Sequence, residues 1–174
     1  MSIYKTITEV GQKFISKEKL FRYGFNLSPM YRRSTGKITY VSGNLHDIKI
    51  VIPISYKNRN YMNTVFGGSM FAAVDPIPMI QLTQILGNGF VVWDKSAEIY
   101  FKKPAKENLY ADFVFTDAEL EDIKQRVATE QEITITKRTQ LTNKDKTVVY
   151  CEVDKKIYVA NKAFYKEKLA KRKG

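Results

Sequence analysis

The segment from Gly67 to Asp75 joins a pair of glycines to a carboxylate two helical turns further on. Gly67-Gly68 opens the run SMFAAVDPIPMIQLTQILGNG, which reads as a helix of about five turns closed by Gly87 and Gly89. The leading amides of a helix have no intrahelical acceptor, and the dipole there favours negative charge. Glycine at that point lets a ligand carbonyl approach the backbone closely, so Gly67 and Gly68 could stabilise a developing oxyanion. The competing reading is a tight turn that uses glycine for its dihedrals. Asp75 has Phe71, Ala72, Val74, Ile77, Met79 and Ile80 around it. An unpaired carboxylate buried in such company is costly or becomes protonated, so it needs partners or a task. A general base is the first candidate task and a nucleophile the second; the alternative is a structural Asp that stabilises Asp75-Pro76-Ile77-Pro78. Pro76 and Pro78 deprive the Ala72 and Val74 carbonyls of their helical donors, so a bend is expected here.

Asn60, in the polar loop Lys57 to Phe66, could orient a water or serve its own turn. Asp94 could line the site, or pair with Lys95 or Lys103. Met62, Phe66, Met70 and Phe71 could line an apolar tunnel, and Lys102, Lys103 and Lys106 could meet phosphates. His46 is the sole histidine, which rules out a His-rich metal site; it reads as a surface residue at a strand start. Cys151 is the sole cysteine, so no intrachain disulfide forms, and it reads as packed within a strand. There is no phosphate-binding loop and no dinucleotide fingerprint, and no cofactor or metal is expected.

Around these residues the periodicities are clear. Tyr4 to Leu27 has near-helical apolar spacing and reads as an amphipathic helix stopped by Ser28-Pro29. Lys37 to Ser42 alternates, with Ile38, Tyr40 and Ser42 on one face and Thr39 and Val41 on the other. His46 to Tyr56 places Ile48, Ile50, Ile52 and Ile54 on one face. Phe90 to Trp93 and Ser96 to Lys102 form an interrupted strand, and Leu109 to Thr116 a further one. Asp117 to Ala128 is a short helix with Thr116 or Asp117 as N-cap. Glu130 to Leu141 and Thr147 to Val159 are long strands joined at Asn143-Lys144-Asp145. One all-round-apolar helix among about six strands is buried most economically by a curved antiparallel sheet wrapped around it, an α+β architecture. Such a sheet leaves an edge, so a homodimer is expected, or a tetramer built from it.

The 174 residues fit a single domain, 1–174, with the N-terminal helix over 1–27 and a basic tail over 161–174. The 44% hydrophobic content argues against disorder. Val65 to Leu86 is the longest apolar stretch, but its Asp, prolines and glutamines make it too polar for the roughly 20 residues of a membrane span. The N-terminus has no signal-peptide pattern, and a cytoplasmic protein is expected. The net charge is +11, but six basic residues against one acid lie between Lys162 and Lys173. That tail reads as a solvated face rather than a nucleic-acid contact.

Asn58-Arg59-Asn60-Tyr61-Met62-Asn63-Thr64-Val65-Phe66-Gly67-Gly68-Ser69-Met70 resembles the loop-to-helix signature of hotdog-fold thioesterases. Asp75-Pro76, Val91-Val92-Trp93-Asp94-Lys95-Ser96-Ala97 and Phe101-Lys102-Lys103-Pro104 extend the resemblance, which covers about residues 25 to 160 and is to a bacterial branch related to the phenylacetic-acid-degradation thioesterases. It implies a hotdog fold, an acyl-CoA-type ligand, a homodimer and hydrolysis of a thioester. By position it implies that Asp75 is the acid of the site, with Asn60 in the loop and Gly67 and Gly68 at the oxyanion; Asp94 aligns near a secondary polar position. These thioesterases commonly carry a histidine before Gly-Gly. Here that place is Phe66, or Val65 one residue earlier. Two functions therefore stay open, an acyl-CoA hydrolase and a non-catalytic binder of acyl-CoA or a similar apolar ligand.

Overall fold

A computed structural model describes residues 15–172. The expected helical turns from Tyr4 to Phe14 lie outside the described residues. Six strands form one antiparallel sheet: β1 (Lys37–Val41), β2 (Asp47–Ile52), β3 (Phe90–Phe101), β4 (Leu109–Val114), β5 (Glu132–Thr142) and β6 (Val149–Asn161), in the order β1-β2-β4-β5-β6-β3. β4 and β5 share one register pair, Tyr110 opposite Thr142, so two three-stranded halves are joined there. Helices α1 (Lys17–Leu27) and α2 (Pro29–Arg33) precede the sheet; α3 (Gly67–Val74) and α4 (Pro76–Leu86) run through its concave side; α5 (Asp117–Glu130) and α6 (Lys162–Lys171) flank it. The curved sheet around a helix is the architecture expected from the periodicities.

Most elements follow from local chemistry. Ile48, Ile50 and Ile52 all turn inward from β2, each burial contributing about 1.5–3 kcal/mol. On β4 the buried set is Leu109, Ala111 and Phe113. Thr116 caps α5 in a reciprocal capping box with Glu119. The first strand departs from its expected alternation. A register shift between Ile38 and Tyr40 turns Ile38 and Val41 inward together and leaves Tyr40 exposed. The tail after β6 is helical, because the Asn161 side chain accepts from the amides of Ala163 (2.9 Å) and Phe164 (3.3 Å). Lys168 of that helix is engaged by Glu132 at 2.5 Å.

β3 is one continuous strand with a bulge between Asp94 and Ser96. Asp94 stands opposite Ile157, and beyond the bulge Ala97 stands opposite Lys155. In a regular strand residues three apart face opposite sides. The bulge puts Asp94, Ala97 and Ile99 on the same concave face, which is why the sequence reads as an interruption.

The core is two apolar clusters. One gathers Phe25, Tyr31, Ile48, Ile50, Met70, Ala73, Ile77, Leu109 and Val153; the other gathers Leu82, Val92, Phe115, Leu120, Ile123, Ile157 and Val159. Between Val153 and Ile157 the inward residue of β6 is Lys155. Directly across on β5 is Lys137.

The two free edges of the sheet are unlike. At β1 the Asn26 side chain donates to the Ile38 carbonyl and accepts from the Ile38 amide, both at 2.9 Å, filling a ladder position from α1. β3 presents Trp93, Tyr100 and Phe101 to solvent. Asn26→Ala removes both bonds and leaves the Ile38 groups unpaired by protein. A loss of about 1–2 kcal/mol in urea unfolding is expected.

Candidate active site

The chain is anchored before α3 by a web of side-chain bonds. Asn58, buried, donates to Thr35 Oγ1 (2.7 Å) and the Pro53 carbonyl (2.9 Å) and accepts from the Ser55 amide (2.8 Å). Its own carbonyl accepts from Phe66 N, while Val65 N donates to the Ala105 carbonyl, both at 2.8 Å. The helix then starts without a cap: Phe66 occupies the N-cap and makes no side-chain bond to it. The amides of Gly67 and Gly68 meet no acceptor among the described residues. Both glycines are required by close approach. A Cβ on Gly67 would lie 2.7 Å from Cζ of Phe101, and one on Gly68 would overlap the Phe66 ring.

The expected bend appears as a break: the helix is interrupted at Asp75, between α3 and α4. Asp75 keeps helical dihedrals and donates its amide to the Phe71 carbonyl at 2.8 Å. Its side chain is 40% exposed, which corrects the expectation of a sealed carboxylate. The sealed group is Lys155, 3% exposed. Lys155 Nζ donates to Asp75 Oδ1 at 2.5 Å and to the Asp75 carbonyl oxygen, and forms an ion pair with Asp94 Oδ2 at 2.8 Å. Asp94 therefore pairs with neither Lys95 nor Lys103. Burial pushes the Asp94 carboxyl above the usual carboxylate range, Lys155 opposes that rise, and the Asp75 charge adds to it.

Lys155 went unnamed in the sequence reading although its signal was there. Cys151, Val153, Ile157 and Val159 alternate as the inward row of their strand, and Lys155 is the one charge in that row. Period-two reasoning places a lysine inside and so demands acids around it.

The other predicted residues divide. Asn60 uses its polar atoms within its own loop: Oδ1 accepts from the amides of Met62 (2.9 Å) and Thr64 (3.1 Å), and Nδ2 donates to Thr64 Oγ1 (2.9 Å). Met62 and Phe66 are exposed near the helix start, Phe71 is half-buried, and Met70 is buried in the core. Lys102 is held by Glu152 at 2.9 Å, while Lys103 and Lys106 are exposed. His46 Nδ1 lies 3.3 Å from Asp117. Cys151 is buried, and burial pushes its thiol up to about 11, which suits packing and not attack.

Because burial raises the folded-state pKa of Asp94, its folded form binds the proton more tightly than the unfolded chain does. Its ionisation then costs stability as the pH rises through the folded-state value. Asp94→Asn removes that slope. The variant should gain stability relative to wild type as the pH rises from the ordinary aspartate range, measured by urea unfolding at a series of pH values.

Solved structures share this fold at low identity. A Pseudomonas aeruginosa protein of unknown function, described as a probable thioesterase, superposes with a TM-score of 0.71 at 15% identity, over 82% of this chain and 95% of its own. A Haemophilus influenzae thioesterase gives 0.51 at 10% identity, over 92% of each chain. Zebrafish thioesterase superfamily member 2 gives 0.53 at 13% identity, over 83% of this chain and 94% of its own. The chain thus shares the hotdog fold of these structures. No curated protein matches the chain at a significant level. By a match over residues 17–159, the chain belongs to the family described as Domain of unknown function (DUF4442).

Proposed function

We propose that this protein is a thioesterase-like hydrolase of an acyl-CoA thioester that works as a homodimer. The observation that carries the reading is Asp75, a carboxylate open to solvent on one side and fixed from below by a buried lysine. It lies on the same helical rod as an uncapped Gly-Gly N-terminus. In the reaction Asp75 takes a proton from water as the water oxygen adds to the thioester carbonyl. The oxyanion accepts hydrogen bonds from the Gly67 and Gly68 amides. Collapse of the tetrahedral adduct breaks the C–S bond, and the departing thiolate takes the proton back from Asp75.

The two parts cannot serve one carbonyl within a single chain. Eight residues of helix separate Gly67 from Asp75 by about 12 Å, whereas reacting atoms must come within about 3.5 Å. The base must then come from one protomer and the oxyanion amides from its partner. The exposed strand β3, with Trp93 and Phe101 uncovered, offers the edge for such pairing, and Asn26 blocks the other edge. Lys103 and Lys106 remain available for the nucleotide phosphates. The described residues contain no helix long and apolar enough to cross a membrane; a cytoplasmic location is part of the proposal.

One observation favours the second reading, a non-catalytic acyl-CoA binder: Phe66, which offers no hydrogen bond to a water, stands before Gly67 with its ring against Gly68. Release of free thiol from short, aromatic and long-chain acyl-CoAs separates the two. Turnover that falls at least about 10²-fold in Asp75→Asn is expected; ligand-dependent thermal stabilisation without turnover leaves the binder. Sedimentation should give twice the 20.1 kDa chain mass. Mixing inactive Asp75→Asn and Gly68→Val subunits should restore about a quarter of wild-type activity, since half the dimers then carry one intact cross-protomer site. No restoration would place both parts in one chain.

A further inference from the structure

Lys155 takes part in none of the bond-making steps just described, and stability alone does not call for it. Valine or isoleucine would continue the inward row of β6, and replacing a buried ion pair by packed apolar side chains is often neutral or stabilising. Yet the ammonium is fully engaged by acids and backbone, donating to the Asp75 carboxylate and carbonyl and ion-pairing with Asp94. Each carboxylate gives one oxygen to Lys155. The other oxygens, Asp75 Oδ2 and Asp94 Oδ1, meet no donor among the described residues, and both side chains are about one-third or more open, 40% and 32%. The two oxygens that share the ammonium are within two hydrogen-bond lengths of each other.

Among the described residues no second cation is directed at the pair. Lys137, across the rung on β5, goes to Glu119 at 2.6 Å and lies over the Phe115 ring at 4.4 Å. Ala97, across the rung on β3, is neutral. Two carboxylates therefore share one positive charge, and each side chain is partly open to solvent.

We propose that Lys155 is a positioning residue that makes Asp75 and Asp94 a single two-carboxylate unit for the attacking water. It fixes Asp75 through both side chain and main chain and sets Asp94 beside it as a second acceptor. A water has two O–H groups; giving one to each free oxygen turns its lone pair toward the substrate. Phe66 cannot hold that water, and Asp94 supplies the second contact. This inference rests on Asp75 being the base of the proposed hydrolase.

The test uses the full chain labelled with ¹³C-carboxyl aspartate, following the Asp94 carboxyl by NMR against pH in wild type, Lys155→Met and Lys155→Arg, with acyl-CoA kinetics beside it. In Lys155→Met the Asp94 midpoint should rise, because the ammonium that opposed its protonation is gone, and the acidic limb of kcat/KM should rise with it. The same variant should lose kcat by on the order of 10²-fold, the scale of a misplaced reacting group, with KM changed less than about twofold. Lys155→Arg keeps the charge but not the shape of the head group, and should lower kcat while the acidic limb stays. A folded Lys155→Met with the Asp94 midpoint unmoved, or with activity lost equally at every pH, overturns the proposal. If Lys155→Met does not fold, Lys155→Arg decides: unchanged kcat overturns it. If wild type turns over no acyl-CoA, the hydrolase reading fails by that result, and the Asp94 titration alone decides whether Lys155 couples the carboxylates.

Discussion

One ammonium group must be solvated inside the sheet by something other than water, and the middle of the molecule is arranged around it. Lys155 interrupts the inward row of β6, so the apolar core closes as two clusters on either side of it. The acids that answer it come from two elements far apart in sequence, the helix break at Asp75 and the strand β3 at Asp94. Removing Lys155 leaves two partly buried carboxylates without their shared counterion, a more costly state than never having had the charges.

Two backbone irregularities serve this cluster. At Pro76 and Pro78 the helix lacks two amide donors, and the rod is interrupted at Asp75, whose own carbonyl takes a bond from Lys155. The bulge in β3 changes the parity of the strand, so that Asp94 and Ala97 face the same side. Each would be a defect if judged on local hydrogen bonding alone. Together they bring two carboxylates to one ammonium.

The start of α3 follows a different logic. Phe66 is a poor N-cap where Ser, Thr, Asp or Asn would have satisfied a leading amide. The aromatic rings of Phe66 and Phe101 instead close on the two glycines. Phe101, one of the exposed aromatics of β3, thus stands at this helix start, while Asn26 fills the opposite edge of the sheet at β1.

How much of this is legible in the sequence depends on the range of the interaction. Strands β2 and β4, the helix after Thr116 and the helix start at Gly67-Gly68 are set by neighbours within a few residues, and composition and spacing alone determine them. Asp75 stands out from the same kind of evidence, a carboxylate among apolar neighbours. Its partner does not, because Lys155 is 80 residues away and alternation marks which residues turn inward without saying which acid each one meets. The sequence alone determined the layers, the helix and the one conspicuous acid; the tertiary structure decided that this acid is half open, that Asp94 shares its counterion and that Asn60 serves its own loop. The physical reason is that a buried charge chooses its partners by distance in space, and the curvature and bulge that set those distances are properties of the assembled sheet.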